Sequence, residues 1–122
     1  MEASNLEETS FCQRMNCALS RVGDKWSVQT AMQLETGPKR FSELRRGIGG
    51  ISHKMLAATL RALERDGFVA RTVYPTKPPS VEYALTEFGH EMVVPIKALS
   101  AWVLDNLGRI ERARRDYDAE AG

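Results

Sequence analysis

Between Gly37 and Thr86 the chain is punctuated so closely that few folds can accommodate it. Gly37-Pro38 ends any helix before it, since proline disfavours helical backbone in the residue it follows. Phe41 is then a buried anchor, and Ser42 is placed to N-cap a short helix whose Leu44 and Ile48 point inward. Gly47, Gly49 and Gly50 permit a tight turn. Ser52 is a second N-cap candidate, after which Leu56, Leu60 and Leu63 fall on one face at helical spacing. That leaves His53, Lys54, Ala57, Ala58 and Arg61 facing outward. Gly67 stops this helix. Two runs, 68–74 and 81–85, are β-branched or alternate as strands do, and Pro75, Pro78 and Pro79 between them make a stiff, unpaired tip carrying Lys77.

The order short strand, helix, turn, helix, strand, Pro-rich tip, strand is that of a winged helix-turn-helix, mainly α with a small β-hairpin. In such an arrangement the start of the second helix enters a DNA major groove while the hairpin tip reaches flanking backbone or minor groove. The expectation is sequence-specific binding to double-stranded DNA. Ser52, His53 and Lys54 stand where side chains meet base edges and where free N–H groups favour a phosphate. Ala57 and its neighbour Ala58 are small enough to let the helix seat deeply or touch a thymine methyl, although helix propensity accounts for them equally well. Arg61 lies further in and reaches a base or a backbone oxygen, whereas Arg65 is expected to pair with a nearby carboxylate. Arg40 and Arg45 add backbone contacts, and Lys77 on the tip meets phosphate or minor groove.

A net charge of +1 over 122 residues looks unsuited to nucleic acid, but its distribution is uneven. From Met1 to Gly37 three basic residues face five acidic ones, from Pro38 to Glu82 nine face four, and from Tyr83 to Gly122 five face seven. The excess positive charge therefore sits on the proposed reading head, where a local patch suffices to attract phosphate. Outside this context Lys39, Arg40, Arg45 and Arg46 would read only as a solvated helix face.

After Thr86, a further N-cap candidate, Phe88, Met92, Ile96, Leu99, Val103, Leu107 and Ile110 form one apolar stripe at spacings of three and four, with Val93, Ala98 and Trp102 beside it. A band this wide on a small domain is best buried against a second subunit. The expected homodimer interface comprises Val93, Ile96, Leu99, Trp102 and Val103, and twofold symmetry would supply the paired heads that a palindromic operator requires. Pro95 should kink this helix or split it. The chain divides into a flexible N-terminus over 1–10, a single domain over 11–110, and a charged tail over 111–122. A composition of 43% hydrophobic and 27% charged residues fits one core, and no segment nears the ~20 apolar residues of a membrane span. With an acidic, polar start, the protein is expected to be cytoplasmic.

The segment KRFSELRRGIGGISHKMLAATLRALERDGFVARTVYPTKPPSVEYALTEFG resembles the bacterial HxlR-type transcription regulators, which are MarR-like winged helices. Upstream, CALSRVGDKW is similar to their N-terminal segment with its cysteine. The resemblance covers the chain from about Cys17 to Trp102. It implies a cytoplasmic homodimeric regulator of transcription whose first and last helices form the dimer, with ligand or redox control in some members.

Cys12 and Cys17 are five apart, so on one helix their Cα atoms lie about 8 to 9 Å apart, beyond the ~7 Å limit for a bridge. Cys12 reads as an incidental thiol. Cys17 is either a small buried hydrophobe or, as the resemblance implies, a redox-sensing residue. A small-molecule effector is the other route to control, held between the first two helices and the last with Trp26, Gln29, Thr30 and Trp102 as wall residues. Catalysis is not expected: Cys17, His53 and His90 are not placed together by any motif, and neither a phosphate loop nor paired metal ligands nor a cofactor signature occurs. Because fold does not fix function, the alternative from another class is a winged-helix protein-interaction module.

Overall fold

The computed structural model describes residues 2–121, with side chains from Ser10 onward. Helices α1 (Glu2–Gly23) and α2 (Lys25–Leu34) are followed by a short strand β1 (Lys39–Arg40) and helices α3 (Phe41–Gly47) and α4 (His53–Arg65). Strands β2 (Val69–Tyr74) and β3 (Ser80–Leu85) form the wing, and α5 (Glu87–Ala121) completes the chain. The sheet is antiparallel in the order β1-β3-β2, with Lys39 opposite Tyr83 and Arg71 also opposite Tyr83 from the other side. This is the expected winged helix-turn-helix architecture.

Each joint has a local cause. Asp24 caps α2 by accepting hydrogen bonds from the backbone N–H groups of Trp26 (3.2 Å) and Ser27 (3.1 Å), a carboxylate at the positive end of a helix. At the other end of α2, Gly37 adopts φ 140°, and Lys39 Nζ donates to Gln33 O (2.7 Å) and Thr36 Oγ1 (2.8 Å). Lys39 is thus a C-terminal cap, the structural role. Ser52 Oγ accepts from Met55 N (3.1 Å), and Gly67 at φ 85° ends α4. Thr86 Oγ1 accepts from Gly89 N (3.0 Å) while donating to Gly67 O (2.6 Å), which fastens α5 to the turn before the wing.

The core lies where α2, α3 and α4 meet the sheet and the base of α5. Leu34, Leu44, Ile48, Leu56, Leu60 and Leu63 are each no more than 1% exposed. At about 1.5 to 3 kcal/mol for each side chain taken from water, these few residues supply much of the driving force. Surface ties add less: Lys97 Nζ meets Glu35 Oε1 at 2.8 Å, an exposed pair worth ~0 to 1 kcal/mol.

Several sequence expectations are corrected. The N-cap of α3 is Arg40, not Ser42, because Glu43 Oε1 reaches back to accept from Arg40 N at 2.9 Å. Pro95 does not split α5, which runs unbroken from Glu87 to Ala121; Met92, Val93 and Ile96, buried around it, anchor the turns on both sides. Val93 and Ile96 accordingly face their own domain's core and are not free for a partner. Helical backbone also extends to Glu2 and to Ala121, into the segments 1–10 and 111–122, which carry good helix formers without any apolar period. No described helix is long and apolar enough to cross a membrane.

Candidate nucleic-acid interface

The face of α4 opposite its buried leucines is open. His53, Lys54, Ala58 and Arg61 are exposed and Ala57 is half-buried, so the expected reading residues share one solvent-facing surface. Ser52 sits at its N-terminal edge, where the N–H groups of a first turn are available to an anion. The ring of Phe41 packs against His53 with centroids 4.5 Å apart, orienting the imidazole from below. Arg45 Nε makes a long contact, 3.5 Å, to Ile51 O, leaning α3 on the turn before α4. Phe41, Ser42, Arg45, Arg46, Ile51 and His53 line a shallow hollow of about 480 Å³ beside the start of α4. Two guanidiniums and an imidazole around one concavity offer donors of the kind that match phosphate or carboxylate oxygens.

Arg46 was assigned no role from sequence beyond solvation. Its signal was present in the pair Arg45-Arg46, but only the α3–α4 geometry puts both at one hollow. Arg71, likewise unassigned, is exposed on β2. Arg40 is exposed at the junction of β1 and α3, and Lys77 is exposed at the tip between the wing strands. The wing is stiffened along its length: Tyr74 Oη donates to Glu82 Oε1 (3.2 Å), and Thr76 Oγ1 donates to Pro78 O (2.8 Å). That bond to the Glu82 carboxylate, together with its charge, holds the Tyr74 proton and raises the phenol above its ordinary pKa.

Arg65 does not take the carboxylate next to it. Arg21 of α1 does, its Nε 3.3 Å from Asp66 Oδ2, a side chain reaching from α1 to the end of α4.

The expected effector and dimer residues separate. A groove of about 560 Å³ does open between the end of α1, α2 and α5, walled by Leu19, Val22, Val28, Leu99, Val103 and Leu107 among others, and it is almost wholly apolar. Trp26, Gln29, Thr30 and Trp102 do not line it. Trp26 is half-buried under Lys25, whose Nζ stands 4.6 Å from the ring centroid, Gln29 is exposed and Thr30 lies fully in the core. Of the proposed dimer contacts, Leu99 (62% exposed), Trp102 (58%) and Val103 (40%) are available, and Leu104 beside them is 73% exposed. Both cysteines are exposed free thiols, so Cys17 is not the buried packing residue that was one of its two readings.

A family model described as HxlR-like helix-turn-helix matches residues 21–111. The uncharacterised HTH-type transcriptional regulator YtfH of Escherichia coli K12 is 46% identical over 101 residues, covering 83% of this chain and 80% of that protein. Among solved structures, a proposed transcriptional regulator, YtfH from Salmonella typhimurium, is 42% identical with a TM-score of 0.77, over 83% of this chain and 90% of that one. The redox regulator HypR in its reduced form is 37% identical with a TM-score of 0.75, over 81% and 98% of the two chains. Its oxidised form is similar at 39% identity and TM-score 0.70, over 76% and 96%.

Proposed function

The chain belongs to the HxlR-like helix-turn-helix family and is a transcriptional regulator of that type, and on this premise we propose that it binds a palindromic operator as a homodimer. The observation that carries the reading is the solvent-facing surface of α4, with its basic residues, beside the Arg45–Arg46 hollow. Ser52, His53, Lys54, Ala57 and Arg61 read the major groove, Arg40, Arg45 and Arg46 hold the flanking phosphates, and Lys77 follows the backbone or minor groove. The domain over 11–110 carries this activity, and the apolar groove around Leu99 and Val103 is where the second subunit docks.

Lys54→Ala and Arg61→Ala remove outward side chains, so thermal stability should stay within ~0.5 kcal/mol of native while operator affinity falls by about 1 to 3 kcal/mol and base preference relaxes. Lys77→Ala should weaken all duplexes alike and flatten the salt dependence by about one unit. Gel-shift titrations at several salt concentrations measure all three. If none of the variants differs from the native chain, DNA recognition by this head is excluded.

Control reaches the head through Cys17 or a small-molecule effector. HypR, described as a redox regulator and solved in two oxidation states, supports the thiol route. Cys17 is exposed on α1, the helix that borders the apolar groove, so a covalent addition there can shift the angle between subunits. Two recognition helices must meet half-sites about 34 Å apart or a multiple of it, so a small rotation releases the operator. Diamide should therefore join Cys17 to a cysteine of a second subunit as a disulfide, its azo bond taking up the two electrons and two protons, and so abolish operator binding by the native chain while leaving Cys17→Ser bound. Equal sensitivity of the two proteins assigns control to the effector route instead.

A further inference from the structure

A second hollow, about 930 Å³, separates α1 from the C-terminal end of α4. One face of α1 turns Gln13, Arg14, Cys17 and Arg21 into it, at the three- and four-residue spacings that align side chains along a helix, and Arg65 and Asp66 close the opposite side. Three guanidiniums thus share the hollow with one carboxylate, and Arg21 alone stands beside it. That carboxylate engages Arg21 only by charge: Arg21 Nε is shielded from solvent and, among the described residues, has no aligned hydrogen-bond acceptor. Arg14 and Arg65 enter no ion pair among the described residues.

The end of a helix normally repels anions through its open carbonyls. Here three of the four are occupied: Ala62 O, Leu63 O and Glu64 O accept from the N–H groups of Asp66, Phe68 and Gly67. What remains is a concave surface with three guanidiniums to one carboxylate, an excess of positive charge. Guanidinium forks match carboxylate and phosphate oxygens in pairs.

We propose that this hollow binds a small organic anion bearing a carboxylate or phosphate group, held by Arg14, Arg21 and Arg65. Its occupant would join α1 to the rear of the recognition helix, so that ligand concentration sets how firmly α1 is docked. The site is independent of operator binding, and its test needs no DNA.

Two thiols on the same helix make the measurement possible. Cys17 lines the hollow, Cys12 does not, and both are exposed and free. Iodoacetate and iodoacetamide alkylate by the same step: the thiolate sulfur displaces iodide, a C–S bond replaces the C–I bond, and the thiol proton passes to solvent. Only iodoacetate is anionic. The ratio of iodoacetate to iodoacetamide rates at Cys17, divided by the same ratio at Cys12, cancels differences in thiol reactivity and isolates anion recruitment. Peptide mass spectrometry should give a quotient of about five at low salt, the effect of one charge ~4 Å away in water, declining as KCl is added. Arg65→Gln, which removes no ion pair of the fold, and Arg21→Gln should each bring it towards one. At constant ionic strength, protection of Cys17 by citrate identifies a carboxylate ligand and protection by inorganic phosphate a phosphoryl one. A quotient of one in the native protein, an unchanged quotient in Arg65→Gln, or protection by neither anion overturns the proposal.

Discussion

Gly89→Ala should destabilise the protein by about 3 kcal/mol or more, at the upper end of what overpacking costs, a large share of the ~5 to 15 kcal/mol that holds an ordinary domain folded. Gly89 lies in the first turn of α5 and is buried. A Cβ there would overlap the carbonyl oxygen of Phe68 and approach Leu85 Cδ2 to 3.0 Å. Neither neighbour can yield cheaply. Phe68 O accepts from Thr86 N at 3.0 Å, and Leu85 is a core residue of β3. To admit one methyl group the whole of α5 must lift from the sheet, exposing Met92, Val93 and Ile96. Gly108, around which an added Cβ meets nothing within 4 Å, is the matched control. Gly108→Ala should raise stability by up to about 1 kcal/mol through helix propensity alone. Urea denaturation of the two variants gives both signs, and a Gly89→Ala midpoint indistinguishable from native would show that α5 is not seated as described.

Leu99→Asp should dissociate the proposed dimer and, with it, abolish the proposed operator binding. Leu99 is exposed in the single chain and walls the apolar groove. Placed in a subunit interface, an aspartate has no partner there, and an unpaired buried charge costs about 3 to 5 kcal/mol, which is a loss of at least a hundredfold in association. Folding should be little affected, since the side chain is mostly exposed and lies outside the buried core. Sedimentation at micromolar concentration should report a native dimer and a mutant monomer, and gel shifts should lose the twofold complex. A variant that stays dimeric would move the interface elsewhere on the surface; a native monomer would remove it.

Local chemistry made much of this molecule legible in its sequence. Leu56, Leu60 and Leu63 announce the buried face of α4 by period alone, and Ser52 and Thr86 announce helix starts because a capping oxygen acts within three residues. What escaped was decided at long range. Val93 and Ile96 are apolar in the right rhythm, but rhythm does not say whether a helix buries a residue against its own head or a partner. Arg65 stands beside Asp66 in the chain, yet Arg21 takes that carboxylate, reaching from α1 to the end of α4. Gly89 reads as a weak point in a helix until Phe68 O is found against it. The reading surface was legible as a set of outward residues, while the hollow shared by Arg45, Arg46 and His53 depends on how α3 leans on α4. Helix beyond Ile110 left no trace, since a helix that touches nothing needs no apolar period.

Helix α5 spans 35 residues, close to 52 Å at about 1.5 Å per residue, but its buried side chains end at Ile96. Within one subunit it is mechanically a cantilever, clamped at Thr86 and Gly89, and its last two thirds bury nothing in their own core. A tilt of ~5° at the clamp, small enough to leave Met92 in the core, displaces a far end about 50 Å away by roughly 4 Å. Stiffness at the base therefore fixes position at the tip. Substitutions around Phe68, Leu85 and Gly89 that leave the fold intact would act as changes of gain, altering how far Tyr117 travels for a given disturbance of the head.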